Sequence, residues 1–325
     1  MPGYPSTQRG ALKHPFIRHL FVHSRKAEEL NLTDWLGSSE TVHDIVTATP
    51  YAALAATLDW PATQGPQRPA AGTPLPCLWH WLYFLPLHPQ SEIALDGHAK
   101  RGGFLPPVPL PRRMWAASDL AFHEPLCIGD ALARTSTVVD IQEKSGRSGS
   151  LIFVKVRHEI RRNGAEGIAL SEHHSIVYRN AASHNEAAPA PIAAPTSSAW
   201  QRRVVPDEVL LFRYSALTFN GHRIHFDRRY VTEVEGYPGL IVHGPLIATL
   251  LMDLLRSQLP TARVLGFAFK AVRPTFDIHP FSVHGEVAAD GTSVRLWAQD
   301  HEGWLTMDAV ATVEAGAAPD YAPIP

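Results

Sequence analysis

Two stretches of this chain repeat the same order of signals, and that repetition limits the folds open to it. In the first, residues 131–140, 151–160 and 168–178 carry β-branched residues in alternation, parted by Lys144-Ser145-Gly146-Arg147 and Arg162-Asn163-Gly164. In the second, residues 282–288, 294–299 and 305–313 do the same, broken at Asp290-Gly291 and Glu302-Gly303. Alternation with period two marks half-buried strands, and the Asn-Gly and Asp-Gly pairs supply the left-handed residues that tight hairpins need. Similar lead-ins precede both stretches: Glu124-Pro125-Leu126-Cys127-Ile128-Gly129-Asp130 and His279-Pro280-Phe281-Ser282-Val283-His284-Gly285-Glu286. Helical pattern comes early in each half, at 50–58 and at 245–258, the latter with Pro245 in the first turn, where its missing N–H costs nothing. Periodicity alone therefore gives an α+β duplication of two antiparallel meanders.

Residues 181–199 are dominated by Ala, Pro and Ser, a composition that packs poorly and reads as an extended linker. The domain reading is an N-terminal extension over 1–32, a first domain over 33–180, the linker, and a second domain over 200–325. At 325 residues and 45% hydrophobic content the chain can fill one large core or two joined ones. The aromatic run Trp79, Trp81, Tyr83 and Phe84 reads as sheet core.

A formal net charge of -2 gives no general electrostatic reason to bind nucleic acid or an anionic membrane, so neither partner is expected and an anionic ligand must be met by local cations. Cys77 and Cys127 are too few for a disulfide framework and fit a reducing compartment. No apolar run approaches the roughly 20 residues of a membrane-spanning helix, and the start lacks the apolar core of a secretory signal, so the expected location is cytoplasmic. The first 27 residues hold Arg9, Lys13, Arg18, Arg25 and Lys26 with no acid, a bias shared with mitochondrial presequences that keeps the mitochondrial matrix as the alternative.

Chemistry concentrates in one place. Asn220, His222, His225 and Asp227 fall within eight positions, a density of proton-handling groups that a structural segment seldom needs. Downstream, an apolar run ends in His243-Gly244-Pro245 and opens the second helix, whose free first-turn N–H groups can hold a developing negative oxygen. Acid–base group plus oxyanion hole suggests thioester enolate chemistry, with Gly244 the candidate oxyanion donor. His222-x-x-His225-x-Asp227 with His243 also offers donors for zinc or iron, but the spacing is not a strong zinc signature and no metal is expected.

Aligned on His225, the run Phe219-Asn220-Gly221-His222-Arg223-Ile224-His225 resembles the Gly-Asp-x-Asn-Pro-(Ile/Leu/Val)-His motif of the MaoC-like hot-dog hydratases and dehydratases, matching it strictly at Ile224 and His225. The longer string from Ala216 to His225, with Glu235 to Leu246, resembles the branch that holds the type 2 hydroxyacyl-thioester dehydratases and the bacterial mesaconyl-CoA and itaconyl-CoA hydratases. His80 to Pro86, Arg101 to Pro107 and Pro111 to Trp115 resemble the bacterial members in particular, so the likeness runs from about residue 33 to residue 314.

The resemblance implies a double hot-dog: two antiparallel sheets, each around a helix, joined edge to edge in one chain. It implies reversible hydration of an α,β-unsaturated acyl-CoA, of which a short dicarboxylyl thioester such as mesaconyl-CoA or itaconyl-CoA is the expected form, in a homodimer. Coenzyme A belongs to the substrate and no separate cofactor is expected. His225 becomes the acid–base residue. Asn220, standing where the family has aspartate, cannot be a base but can orient water through its amide. His222 and His243 take supporting roles. Arg101 and Arg113, from the acid-free segment 100–113, and Arg223 are candidate cations for a substrate carboxylate or the phosphates of coenzyme A. An acyl-carrier-protein dehydratase, a thioesterase on the same fold and a non-catalytic acyl-CoA-binding protein stay open as rivals.

Overall fold

The computed structural model describes residues 31–60, 69–146, 149–180 and 190–314. The basic N-terminal run, the first part of the Ala/Pro-rich linker and the last residues of the second domain lie outside the described residues. Ten strands form one antiparallel sheet: β1 (Ser39–Ile45), β2 (Arg112–Phe122), β3 (Ala131–Gly146), β4 (Gly149–Arg162), β5 (Leu170–Arg179), β6 (Trp200–Val204), β7 (Arg263–Ala271), β8 (Phe281–Val287), β9 (Ser293–Gln299) and β10 (Leu305–Glu314). Their spatial order is β1-β3-β4-β5-β2-β7-β10-β9-β8-β6.

That order is a duplication in space. Each half places its first strand at the outer edge, runs through a three-strand meander and ends on its second strand. The two second strands meet from Ala117↔Lys270 to Ala121↔Gly266 and turn two sheets into one. Both meanders fall where alternation puts them, and the two-sheet, edge-joined architecture of a double hot-dog is present.

The helices are α1 (Ala48–Thr57), α2 (Glu208–Leu217) and α3 (Gly244–Gln258). α3 fills the curl of the second half, lying against β6, β8, β9 and β10. It is buried along its length from Leu246 to Leu255. Arg202 on β6 anchors it, donating to Asp253 Oδ2 at 2.6 Å and to the Leu250 carbonyl at 2.9 Å. The first half has no equivalent: α1 is short and packs against α2, and the curl is filled by residues 75–84. The main core is continuous across the seam, joining Leu120, Leu132 and Leu170 to Leu246, Leu251 and Phe267. Among the described residues no helix is long and apolar enough to cross a membrane, and no disulfide joins Cys77 to Cys127.

Three expectations need correction. The Trp79–Phe84 run is not a strand: Leu78 and Phe84 adopt left-handed backbone (φ 72 and 55) and enclose a 3-10 turn over Trp79–Leu82. The end of the linker is not loose, because Leu305 N–H donates to the Ile192 carbonyl at 2.8 Å and Ala194 N–H to Gly303 at 3.0 Å, with Ala194 buried. Finally, the second half carries a further helix, α2, started by Asp207, whose side chain accepts from Leu210 N–H at 2.7 Å.

Truncating Leu251, fully buried at the centre of α3, removes packing atoms that nothing can replace. Leu251→Ala is expected to cost about 2–5 kcal/mol in denaturant unfolding, and a loss below half a kilocalorie would contradict α3 as the core element.

Candidate active site

α2 stops at Thr218, and Phe219 turns the chain with left-handed backbone (φ 50). Asn220 N–H then donates to the Ser215 carbonyl at 2.8 Å, and the Asn220 side-chain oxygen accepts from His222 N–H at 3.0 Å. This Asx turn feeds a 3-10 turn over Arg223–His225. It also fixes the Asn220 side chain: one lone pair of its oxygen is committed to the loop, and the second and the amide N–H groups remain to meet water.

His225 is buried, with Nδ1 2.7 Å from the Ile241 carbonyl. A carbonyl only accepts, so Nδ1 carries the proton and Nε2 keeps its lone pair. Ile241 lies on the segment that leads through His243 into α3, so one hydrogen bond ties the catalytic loop to the helix start. His243 stacks on His225 with ring centres 3.8 Å apart, and its Nε2 lies 2.8 Å from Ser215 Oγ. Gly244 opens α3 with Pro245 behind it, and first-turn N–H groups have no partner inside a helix. The structure thus brings His225, His222, His243, Asn220 and Gly244 together.

The arginines divide. Arg223 is spent on Asp227 (3.0 and 2.7 Å), on the Leu95 carbonyl (3.1 Å) and on the face of Tyr230, which removes it as a carboxylate partner. Arg101 donates to the carbonyls of Val108, Leu110 and Pro111 and covers the Tyr178 ring, so it braces its own loop. Arg113, on β2, makes no hydrogen bond or ion pair with the described residues, and its charge reaches His98, His222 and His174. Asp227, turned to Arg223, also leaves the metal-donor set that the sequence spacing offered. A different trio, Asp96, His98 and His222, has one donor atom each within 4.8 Å of the others.

Two groups escaped the sequence reading. The first is Asp96-Gly97-His98, at the tip of a turn closed by the Ile93↔Ala99 bridge. Gly97 (φ 90) lies backbone to backbone against Gly221; a Cβ there would come within 1.7 Å of the Gly221 oxygen. The adjacent glycines of both loops were the available signal. The second is a polar band across the inner face of the first half. Buried Glu172 accepts from Ser118 Oγ (2.6 Å) and Trp81 Nε1 (3.2 Å), with His80 Nε2 at 3.4 Å. Beside it, the His174 ring packs 4.1 Å from Trp115, and its Nε2 is buried without a partner.

Burial is the chief cause that pushes His225 down to about 4, with the Ile241 hydrogen bond opposing and His98 reinforcing. The same cause holds His222 and His243 well below the usual imidazole range, and lowers His174 to about 4 and His158 to about 3. The cluster is therefore a set of neutral bases at neutral pH. Unfolded, each would bind a proton below about pH 6.5, so the unfolded state holds more protons between that value and the folded pKa. Stability from these groups is complete above about pH 6.5 and is lost progressively as the pH falls to about 4. Denaturant midpoints are expected to fall steadily from pH 7 to pH 5, and a flat profile would contradict neutral burial.

A family model described as hydroxyacyl-thioester dehydratase type 2 matches residues 78–277. The chain is 46% identical over 284 residues to the mesaconyl-C(4)-CoA hydratase of Chloroflexus aurantiacus, covering 87% of this chain and 97% of that one. It is 28% identical over 233 residues to the mitochondrial hydroxyacyl-thioester dehydratase type 2 of Schizosaccharomyces pombe, covering 63% and 75%. Among solved structures, a MaoC-like dehydratase superposes with a TM-score of 0.64 at 13% identity over 88% of this chain and all of the other, and one from Phytophthora capsici with 0.61 at 15% over 88% and 98%. These last two bear on the fold alone. With its ten-stranded edge-joined sheet and a histidine loop set against the start of α3, the chain belongs to the type 2 hydroxyacyl-thioester dehydratase family.

Proposed function

We propose that this enzyme reversibly hydrates the double bond of a short dicarboxylyl-CoA, with mesaconyl-CoA as the first candidate and itaconyl-CoA as the second. The observation that carries the reading is the pairing of a neutral His225, its Nε2 lone pair free, with an unpaired cation on Arg113 whose charge reaches the same imidazole cluster. The name of the Chloroflexus relative supports the same substrate class.

Gly244 N–H polarises the thioester carbonyl as enolate charge builds up. His225 Nε2 takes a proton from water while the water oxygen bonds the β-carbon. The imidazolium then returns a proton to the α-carbon as the carbonyl re-forms, and the enzyme ends as it began. In mesaconyl-C4-CoA the free carboxylate is bonded to the β-carbon itself, so its cation must sit close to the reacting atom, and Arg113, whose charge acts on His98 and His222, is the candidate. No cofactor takes part in these steps.

The test is a mass-spectrometric search for a gain of one water on mesaconyl-CoA, itaconyl-CoA and crotonyl-CoA. Faster hydration of a dicarboxylyl thioester is expected; hydration of crotonyl-CoA alone would contradict the substrate class, and preference for carrier-protein thioesters would favour the dehydratase of fatty-acid synthesis. His225→Ala should lower kcat by roughly 100- to 10,000-fold. Arg113→Gln should raise KM for the dicarboxylyl substrate by roughly 10- to 100-fold and leave crotonyl-CoA unaffected; an equal change on both would show that Arg113 does not read the carboxylate.

A further inference from the structure

We infer that His98, held by Asp96, is a further catalytic residue, whose Nε2 accepts the second hydrogen of the attacking water and fixes it for His225. The inference rests on the hydration reading above and adds a part that the second half of the chain does not supply. Water attacking the β-carbon has two hydrogens. One leaves to His225; the other stays on the new hydroxyl and needs an acceptor that aims the oxygen lone pair at the carbon. The Asn220 side-chain oxygen is held in the loop by the His222 N–H at 3.0 Å, which leaves it at most one lone pair for water.

His98 has the chemistry required. Its Nδ1 lies 3.0 Å from Asp96 Oδ2, and its backbone N–H donates to Asp96 Oδ1 at 3.0 Å. A carboxylate beside Nδ1 places the proton there and leaves Nε2 as a lone-pair acceptor, the same tautomer as His225. Burial would raise the Asp96 carboxyl, but it is lowered overall, with the hydrogen bonds from His98 among the causes, and stays ionised. Burial and Arg113 together disfavour the His98 cation, so the ring is a neutral acceptor.

The position is built, not incidental. The Asp96-Gly97-His98 tip is fastened to the catalytic loop by Arg223 N–H donating to the Asp96 carbonyl (3.0 Å) and Arg223 Nη1 donating to Leu95 (3.1 Å). Between them Gly97 and Gly221 touch backbone to backbone, an approach that no side chain permits. The His98 ring lies 4.0 Å from that of His222, which lies 5.5 Å from that of His225. Asp96 and His98 keep a quarter or less of their side-chain surface exposed, so the pair is partly open to solvent. In the reaction no net proton passes through His98: it holds the hydroxyl hydrogen while His225 takes and returns the other.

The test compares His98→Gln, His98→Asn and His98→Ala on the thioester that the wild type hydrates fastest. A glutamine oxygen reaches the place of Nε2, whereas an asparagine oxygen reaches that of Nδ1. Ala and Asn variants are expected to lose roughly 100-fold in kcat with KM and Tm little changed, and Gln to recover a substantial part. Wild-type kcat in His98→Ala, or equal activity in the Gln and Asn variants, would overturn the assignment, as would activity removed by a chelator and restored by zinc. A substrate-free measurement separates this from failure of the hydration reading. Nitrogen NMR of the histidine rings should show His98 protonated at Nδ1 and shifted in Asp96→Asn; protonation at Nε2 would refute the role whatever the substrate.

Discussion

Pairing β2 with β7 is the constraint on which the rest depends. Each half alone would end in an edge strand with a row of unpaired backbone groups, a template for unwanted pairing. Joined from Ala117 to Ala121 against Lys270 to Gly266, the two edges satisfy each other. Gly266 makes the approach possible, since a Cβ there would lie only 3.3 Å from the Leu120 oxygen across the seam. Because the seam sets the halves in one fixed relation, a loop of the first half can reach the catalytic loop of the second. The site is therefore a product of the duplication, not of either copy.

The duplicated halves have diverged in what they bury. The second encloses α3 and supplies a helix start backed by an apolar core. The first has no such helix among the described residues and buries Glu172, His80 and Ser118, with His158 and His174 half-buried. Buried polar groups cost free energy unless partnered, and most of this band is partnered. The exception, His174 Nε2, lies beside the Trp115 ring and within reach of the Arg113 charge. The histidine loop and the start of α3 thus come from the second half, and the polar band beside them from the first.

Much of the fold was legible because period-two alternation and hairpin glycines survive in both meanders, and because Pro245 marks the start of α3. β2 was not legible: a bulge between Trp115 and Ala117 shifts its register and breaks the alternation. α2 was hidden because Val209 and Phe212 are exposed, which blurs its apolar face. In the site, His225 and Gly244 stood out through local pattern, whereas the roles of Arg101 and Arg223 were misread because charge in a loop does not reveal which carbonyl or carboxylate it meets. Asp96 and His98 lie more than a hundred positions from His225, and they are joined to its loop by tertiary contacts alone, the approach of Gly97 to Gly221 among them.

The account turns on His225 being a neutral base whose proton sits on Nδ1. Proton–nitrogen correlation spectra of the histidine rings, with the His225 signal identified by its loss in His225→Gln, test this without substrate. The account predicts an Nδ1-protonated neutral ring throughout the range from about pH 5 to 8 in which an ordinary histidine titrates. A His225 ring that gains a proton near pH 6.5, or that carries its proton on Nε2, would contradict it.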